Sequence, residues 1–365
     1  MINNQIFIEN VYAHDDAVFQ VGENGSKTKF DPMTRRRYGY ASGDNIKHCV
    51  KDKFSELTGF VEGKATFVRN AKTSKSSSDT KEQGEVYIDI NLLNPFHRIW
   101  GGFNPISETI KNEVYSKTAL KSIVELSSNQ PLHTLLTSTS KDCGVKKGKY
   151  TDDIMFKDNT SYYTIEELMN ETGLKKNELL KNSSKSNFLM GNDTSRGIYK
   201  YNYVINVNGF KYCDISEYDL TDDMINSLKE KGYDVQTIDN KRMLVVPTDE
   251  AINLFESVVD SLFLWDYTAN NSTHYNLREF LRCTFGVNNP SYVPMSIMGV
   301  LSNDGDTVNI ETLSDEEVSE CGIYAFTSKN LKKYHNVDDV TYDVFAEKNA
   351  IEKIKQLGIE IIKNI

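Results

Sequence analysis

Nowhere does the chain approach the eighteen or so consecutive apolar residues that a membrane-spanning helix needs, so no contact with a membrane is expected. The opening MINNQIFIENVYAHDD lacks the basic n-region and the long apolar h-region of a secretory signal. Five cysteines (Cys49, Cys143, Cys213, Cys283, Cys321) lie far apart, with no C-x-x-C pair among them. An odd, scattered set suits free thiols in a reducing cytoplasm better than a disulfide framework or a zinc site. In that compartment the Asn271-Ser272-Thr273 triplet carries no glycosylation meaning. The six histidines (14, 48, 97, 133, 274, 335) never fall at metal-ligand spacing, and there is no internal repeat.

Catalytic signatures are missing as well. Gly22-Glu-Asn-Gly25-Ser26-Lys27-Thr28 has the wrong spacing for a P-loop, which needs four spacers and an adjacent Gly-Lys, and Glu23 would repel a phosphate. Gly39-Tyr40-Ala41-Ser42-Gly43 places its serine one residue off a nucleophile elbow. His14-Asp15 is a metal-hydrolase hint without companions. The acid pairs Asp152-Asp153 and Asp222-Asp223 fall where an insertion loop and a helix N-terminus are expected, and read as solubilising charges and caps. The residues thus give no catalytic set, no metal site and no cofactor.

What remains is a chain of 365 residues, 39% hydrophobic and 26% charged, long enough for one or two domains with an ample core. Its net charge is −10, which argues against indiscriminate nucleic-acid binding. The charge is unevenly placed. Between Ser26 and Lys75 stand twelve lysines and arginines against five acids, while acid concentrates from Asp304 to Glu320 and at Asp338-Asp339. Such a footprint is oriented rather than uniform.

At the centre of the basic region lies RRRYGYASGDNIKHCVKDKF, Arg35 to Phe54. Arg35, Arg36 and Arg37 lead into Tyr38 and Tyr40, and a small polar turn follows. Ile46, Cys49, Val50 and Phe54 then fall at spacings of three and four, which makes one apolar helical stripe with Lys47, Lys51 and Lys53 off it. Ser42 or Asp44 serves as N-cap. Amides at such a turn, with the helix dipole behind them, can hold a phosphate. The bland alternative is a solvated basic face.

In chain order, Gln5 to Ala13 reads as a first strand and Asp15 to Thr34 as a long connection. Phe60 to Arg69 and Glu85 to Ile90 read as strands flanking a polar loop, Asn70 to Gly84, that has one alanine as its only apolar residue. Asn94 to Asn104, NPFHRIWGGFN, reads as a turn at a buried junction, Ser107 to Leu126 as helix, and Ser138 to Asp158 as a loop or insertion. Thr164 and Glu167 form a capping box for a helix. Tyr199, Tyr201, Tyr203, Ile205 and Val207 alternate with mostly polar residues, and Asn208-Gly209 predicts a two-residue turn returning through Phe210, Tyr212 and Asp214. A helix from Asp222 to Lys231, a strand from Lys241 to Val246 and a helix capped by Thr248 follow. Asn276 to Phe285 is expected as a short helix with Arg278 and Arg282 on one face. Val293 to Leu301 and Ile323 to Thr327 read as strands, then comes a helix from Phe345 to Leu357 and an alternating tail, IEIIKNI. This order suits an α+β core with an antiparallel sheet and large insertions. A basic turn and helix, a mobile basic loop and a tyrosine-rich hairpin together are means by which single-stranded RNA is held, through backbone contact and stacking; plain core or a half-buried sheet is the alternative for the tyrosines.

The strand, the Gly-containing loop and the R-x-Y-x-x-SG-x-x-[IL]-[KR] turn and helix, here Arg36, Tyr38, Ser42, Gly43, Ile46 and Lys47, resemble the seventh CRISPR-associated family. Its members are the repeated backbone subunits of Cascade complexes, in the RAMP superfamily. Arg98-Ile-Trp-Gly101-Gly102 is similar to that family's aromatic-glycine element. The resemblance covers about the first hundred residues. It implies a modified RRM-like, ferredoxin-like antiparallel sheet with thumb and finger insertions, divided as residues 1–60 (first part of the core), 61–185 (insertions) and 186–365 (rest of the core). It implies a cytoplasmic, non-catalytic type I subunit whose partners are a crRNA guide, target DNA (or RNA), further copies of itself and other Cascade subunits. Its RNA-binding residues would be Arg35, Arg36, Arg37, Tyr38, Ser42, Gly43, Lys47, His48 and Lys51, joined by Arg69, Lys72 and Lys75 of the thumb-like loop. The alternatives are a type III-like backbone that cuts target RNA with a loop aspartate, for which Asp15 and Asp16 are positional candidates, and a RAMP-type RNA-binding or processing protein that does not polymerise.

Overall fold

The computed structural model describes residues 4–17, 19, 21–22, 25–31, 36–62, 65–69, 84–88, 93–101, 121–136, 155–157, 162–164, 169–170, 173, 175, 195–216, 222–267, 277–291, 293–301, 308–334 and 339–365. Seven strands form the central sheet, numbered here in chain order: β1 (Gln5–Ala17), β2 (Val124–Leu126), β3 (Gln130–Leu136), β4 (Ser195–Asn206), β5 (Leu277–Val287), β6 (Tyr324–Ser328) and β7 (Tyr342–Asp343). The spatial order is β7-β6-β5-β1-β4-β2, with β3 also paired to β4. Among the described strands only β6 and β7 pair in parallel. The class is α+β with a mostly antiparallel sheet, as expected.

The long first strand is central because both of its faces are apolar. Ile6, Ile8 and Tyr12 enter the main core, while Val11 and Ala13 enter a second core on the opposite face. Strand β4 follows the same period-two rule, with Tyr199, Tyr201, Tyr203 and Ile205 on the first face and Ile198 on the second. Three helices cover the first face: α1 (Gly43–Thr58), α5 (Thr248–Leu264) and α7 (Ala346–Asn364). The four stripe residues of α1, Ile46, Cys49, Val50 and Phe54, are all buried there. A ribbon of Ile297–Leu301 and Val308–Thr312 lies over the second face, through Ile297 and Ile310. The described part of the sheet is therefore sandwiched.

Between α1 and α5 come α2 (Pro95–Trp100), α3 (Asn208–Lys211) and α4 (Asp222–Glu230); α6 (Asp315–Glu320) follows the ribbon. A small sheet of Tyr212–Asp214, Lys241–Val245 and Asp234–Ile238 carries α4.

Several expectations are corrected. Tyr199 to Asp214 is not a hairpin: β4 ends at Asn206, Asn208 and Gly209 open the single turn α3, and Tyr212–Asp214 pairs with Lys241–Val245. A Cβ on Gly209 would lie 2.4 Å from Ile123 Cγ2, so its glycine allows a close approach rather than a primed turn. The two-residue turn is instead Asp239-Asn240, at φ 48° and 62°, between paired strands. Where a helix from Asn276 to Phe285 was expected, Leu277–Val287 is strand, and Asn276 lies outside the described residues. A bulge sets Val11 opposite Arg282 but Tyr12 opposite Phe280, so Leu281 is the extra residue. Phe280 and Cys283 face the helices while Leu281 faces the ribbon, and this broken alternation is what imitates helical spacing.

Val124–Leu126 is strand where helix was expected, and Asn94 to Asn104 contains the short helix α2, all six of whose residues are buried. Pro247, not Thr248, precedes the first turn of α5. The IEIIKNI tail continues α7, because Ala350, Ile354, Gly358 and Ile362 keep a four-residue spacing into the core. Thr164 ends a short strand, Tyr162–Thr164, and of the helix expected after it only Met169 and Asn170 are described, as helical. Residues 70–83, 102–120 and 137–154 lie outside the described residues.

Candidate nucleic-acid interface

The connection upstream of α1 is itself structured. Thr28–Asp31 and Arg36–Gly39 form an antiparallel ribbon in which Lys29 stands opposite Tyr38, Phe30 opposite Arg37 and Asp31 opposite Arg36. The Tyr40 amide donates to the Lys27 carbonyl at 2.9 Å and extends the ladder. The Lys29 ammonium sits 3.7 Å from the centre of the Tyr40 ring, a cation–π contact on an exposed lysine. Tyr38 is half-buried against the main core.

The chain then turns at Ala41, which is fully buried, into α1. Ser42 is the N-cap: its hydroxyl accepts from the Asn45 amide at 3.3 Å. Asp44 lies exposed in the first turn. Lys47 is half-buried, and burial, reinforced by Lys51 one turn on, lowers the pKa of its ammonium. The Lys51 ammonium lies 5.4 Å from the centre of the Phe96 ring. Neither lysine has an ion-pair partner among the described residues, whereas Lys53 is bound to Glu56 at 3.1 Å. His48 is exposed, 3.8 Å from the Asp52 carboxylate.

Strand edge and turn fit each other closely. Asn129, 1% exposed, donates from Nδ2 to the Gly39 carbonyl at 3.0 Å and accepts at Oδ1 from the Ala41 amide at 2.8 Å. A Cβ on Gly43 would meet the Leu126 carbonyl oxygen at 2.5 Å, so only glycine fits there. The structure thus brings Tyr38, Ser42, Gly43, Lys47, His48 and Lys51 onto one ribbon, turn and helix. The backbones of Arg36 and Arg37 lie on the ribbon, and that of Arg69 ends a separate strand, Ala65–Arg69, paired with Gly84–Ile88. Arg35, Lys72 and Lys75 fall outside the described residues.

Lys27, Lys29, Tyr40 and Asn129 were not among the expected RNA-binding residues, although Tyr40 belongs to the basic stretch. Alternation in Arg36-Tyr38-Tyr40, facing Lys27 and Lys29, is the signal that could have shown the ribbon. Nothing local marks Asn129.

The structure places other residues of note away from this region. The tyrosine stripe of β4 is core: Tyr199, Tyr201 and Tyr203 are at most 1% exposed, so it offers no stacking face. Tyr201 shares a hydrogen bond with His14 at 2.9 Å and accepts one from Tyr267 at 3.2 Å, and Trp265 Nε1 donates to Tyr203 at 3.2 Å. Arg98 is buried, ion-paired with Glu250, and lies over the Tyr233 ring. Asp15 and Asp16 belong to strand β1 rather than to a loop. Arg282, fully buried, donates to Thr327 at 3.0 Å and to the Leu313 carbonyl at 3.3 Å. Among the described residues, no group of three or more His, Cys, Asp or Glu is placed to hold a metal, and no helix is long and apolar enough to cross a membrane.

No protein-family model matches the chain, and no curated protein matches it. Among solved structures it is similar to a chain of a "CRISPR RNA-guided surveillance complex", at 8% identity and a TM-score of 0.44, over 97% of this chain and 99% of that one. It is also similar to a chain of a "CRISPR RNA-guided surveillance complex, pre-nicking", at 9% identity and a TM-score of 0.45, over 97% of this chain and 100% of that one.

Proposed function

We propose that this chain holds single-stranded guide RNA along the Lys27-to-Lys51 ribbon, turn and helix, as a non-catalytic backbone subunit of a type I Cascade-like complex. Copies would line up along one guide beside other Cascade subunits and meet target DNA. The observation that carries the reading is the continuity of the site: an exposed Lys29 over Tyr40, a Ser42-capped turn and the lysines of α1 follow one another without a break. Phosphate contacts of this kind carry no sequence information, as holding guides of differing sequence requires.

An RRM-like core is part of the same reading. Its support is the element sequence β1, α1, β2/β3, β4, α5, β5 in the spatial order β5-β1-β4-β2/β3, a β-α-β-β-α-β arrangement.

The test is binding of a fluorescein-labelled oligouridylate by the full chain across a salt series. Binding with a log–log slope of about −0.7 per neutralised phosphate is expected. A flat salt response, or RNA cleavage on adding divalent metal, would contradict it.

A further inference from the structure

We propose that Asn129 is a positioning residue for this site, holding the basic ribbon at a fixed angle to α1 so that both address one run of phosphates. The inference rests on the RNA-binding reading above. Asn129 is buried, and it acts through the main chain of residues 39–41. Its side-chain amide presents one donor and one acceptor to a strip of backbone, as a neighbouring strand would. Nδ2 reaches the Gly39 carbonyl at 3.0 Å and Oδ1 the Ala41 amide at 2.8 Å, while its own amide donates to the Ala41 carbonyl at 3.3 Å. Leucine has the shape without the polar atoms.

The mould is itself anchored. The Ser127 amide donates to the Asn202 carbonyl at 3.0 Å, tying this edge to β4 in the central sheet. Two residues after Ala41, Gly43 approaches the Leu126 carbonyl so closely that a methyl group would lie 2.5 Å from it. Two independent contacts therefore press the 39–43 segment onto the Leu126-to-Asn129 edge. On one side of that segment stands Lys29, over the ring of Tyr40 within it, and on the other stand Lys47 and Lys51. Two weak basic elements held in register act as one bivalent site, because the second contact is made at high effective concentration. Released, each still attracts phosphate, but not the same strand at once.

The experiment is binding of labelled oligouridylate across a salt series by full-length Asn129→Leu, with Gly43→Ala as the second variant and Lys47→Ala/Lys51→Ala as reference. Asn129→Leu keeps the shape and the charge while removing both the donor to Gly39 and the acceptor for Ala41. Several-fold weaker binding is expected, with a slope shallower by about 0.7 or more, one phosphate fewer, although no charge has been changed. A merely structural role would lower the melting temperature and leave the slope of the folded protein alone. A wild-type slope for Asn129→Leu overturns the inference, whatever its stability. Should that variant not fold, Gly43→Ala decides by the same slope. If the lysine variant loses slope while the others keep it, positioning fails and RNA binding stands. If the lysine variant also binds like wild type, the RNA-binding reading fails and takes this inference with it.

Discussion

The Glu9 carboxylate lies 2.7 Å from the Lys200 ammonium, inside the second core and beneath the 297–312 ribbon. Lys200 also donates to the carbonyls of Pro294, at 2.9 Å, and Ile297, at 2.7 Å, so the pair fastens the covering segment to the sheet. Removing one partner of a buried pair leaves the other without compensation. Lys200→Met is expected to destabilise the fold by about 3 kcal/mol, the low end for a broken buried pair, since Glu9 can then take up a proton. Adding Glu9→Met should restore much of the loss in urea unfolding, and a double variant no more stable than the single would count against the pairing.

Two buried groups should give the stability curve opposing slopes in acid. Burial pushes Glu9 up to about 7, against the pull of Lys200 and Arg282, so from about 7 down toward 4.5 the folded state binds the proton that the unfolded state does not, and stability rises as pH falls. Burial, helped by Arg278, pushes His14 down to about 3, so from about 6.5 downward the unfolded state binds the extra proton and stability falls. Glu9→Gln should remove the first slope and leave a steeper acid loss. Superposable pH profiles for the two proteins would refute this.

For the basic helix, Lys47→Ala and Lys51→Ala should each flatten the salt slope of RNA binding by about 0.7 and weaken all sequences alike. The ring contact of Lys51 with Phe96 makes a slight loss of thermal stability expected for that variant alone. Sequence-selective loss of binding would mean base readout instead.

Where α5 and α7 meet, a Cβ on Gly358 would lie 2.0 Å from Phe255 Cζ. Gly358→Ala should therefore destabilise by about 1–3 kcal/mol despite alanine's better helix propensity, and Phe255→Leu should relieve the clash in the double variant. Thermal unfolding of the three variants settles the matter.

What could be read from sequence was whatever a single local period dictates. The α1 stripe of Ile46, Cys49, Val50 and Phe54 is buried as its spacing requires, and Ser42 caps as its position before a polar turn allows. Strand β1 and the strand nature of Tyr199 to Asn206 were equally plain. Errors arose where two rules overlapped. The bulge at Leu281 converts a period of two into something resembling a helix, and Asn208-Gly209 is a glycine chosen for contact with Ile123 rather than for its turn. Buried tyrosines and exposed ones alternate identically in sequence, so whether they stack on a base or on Trp265 depends on which layer covers the sheet. Asn129 acts across 90 residues of chain, and no local pattern carries that.

Strand β1 is hydrogen-bonded on one side to Ser195–Asn206 and on the other to Leu277–Val287. During synthesis at roughly 5–20 residues per second, it therefore waits on the order of ten seconds or more before its second partner leaves the ribosome. Until Ser195–Asn206 emerges both edges of this apolar strand are open, one stays open until Leu277–Val287 follows, and pairing over such distances is slow even once both partners exist. The architecture that seals the mature sheet thus makes the nascent chain dependent on whatever shields its first strand, and production of this protein should respond more to slowed translation or added chaperone than its finished stability would indicate.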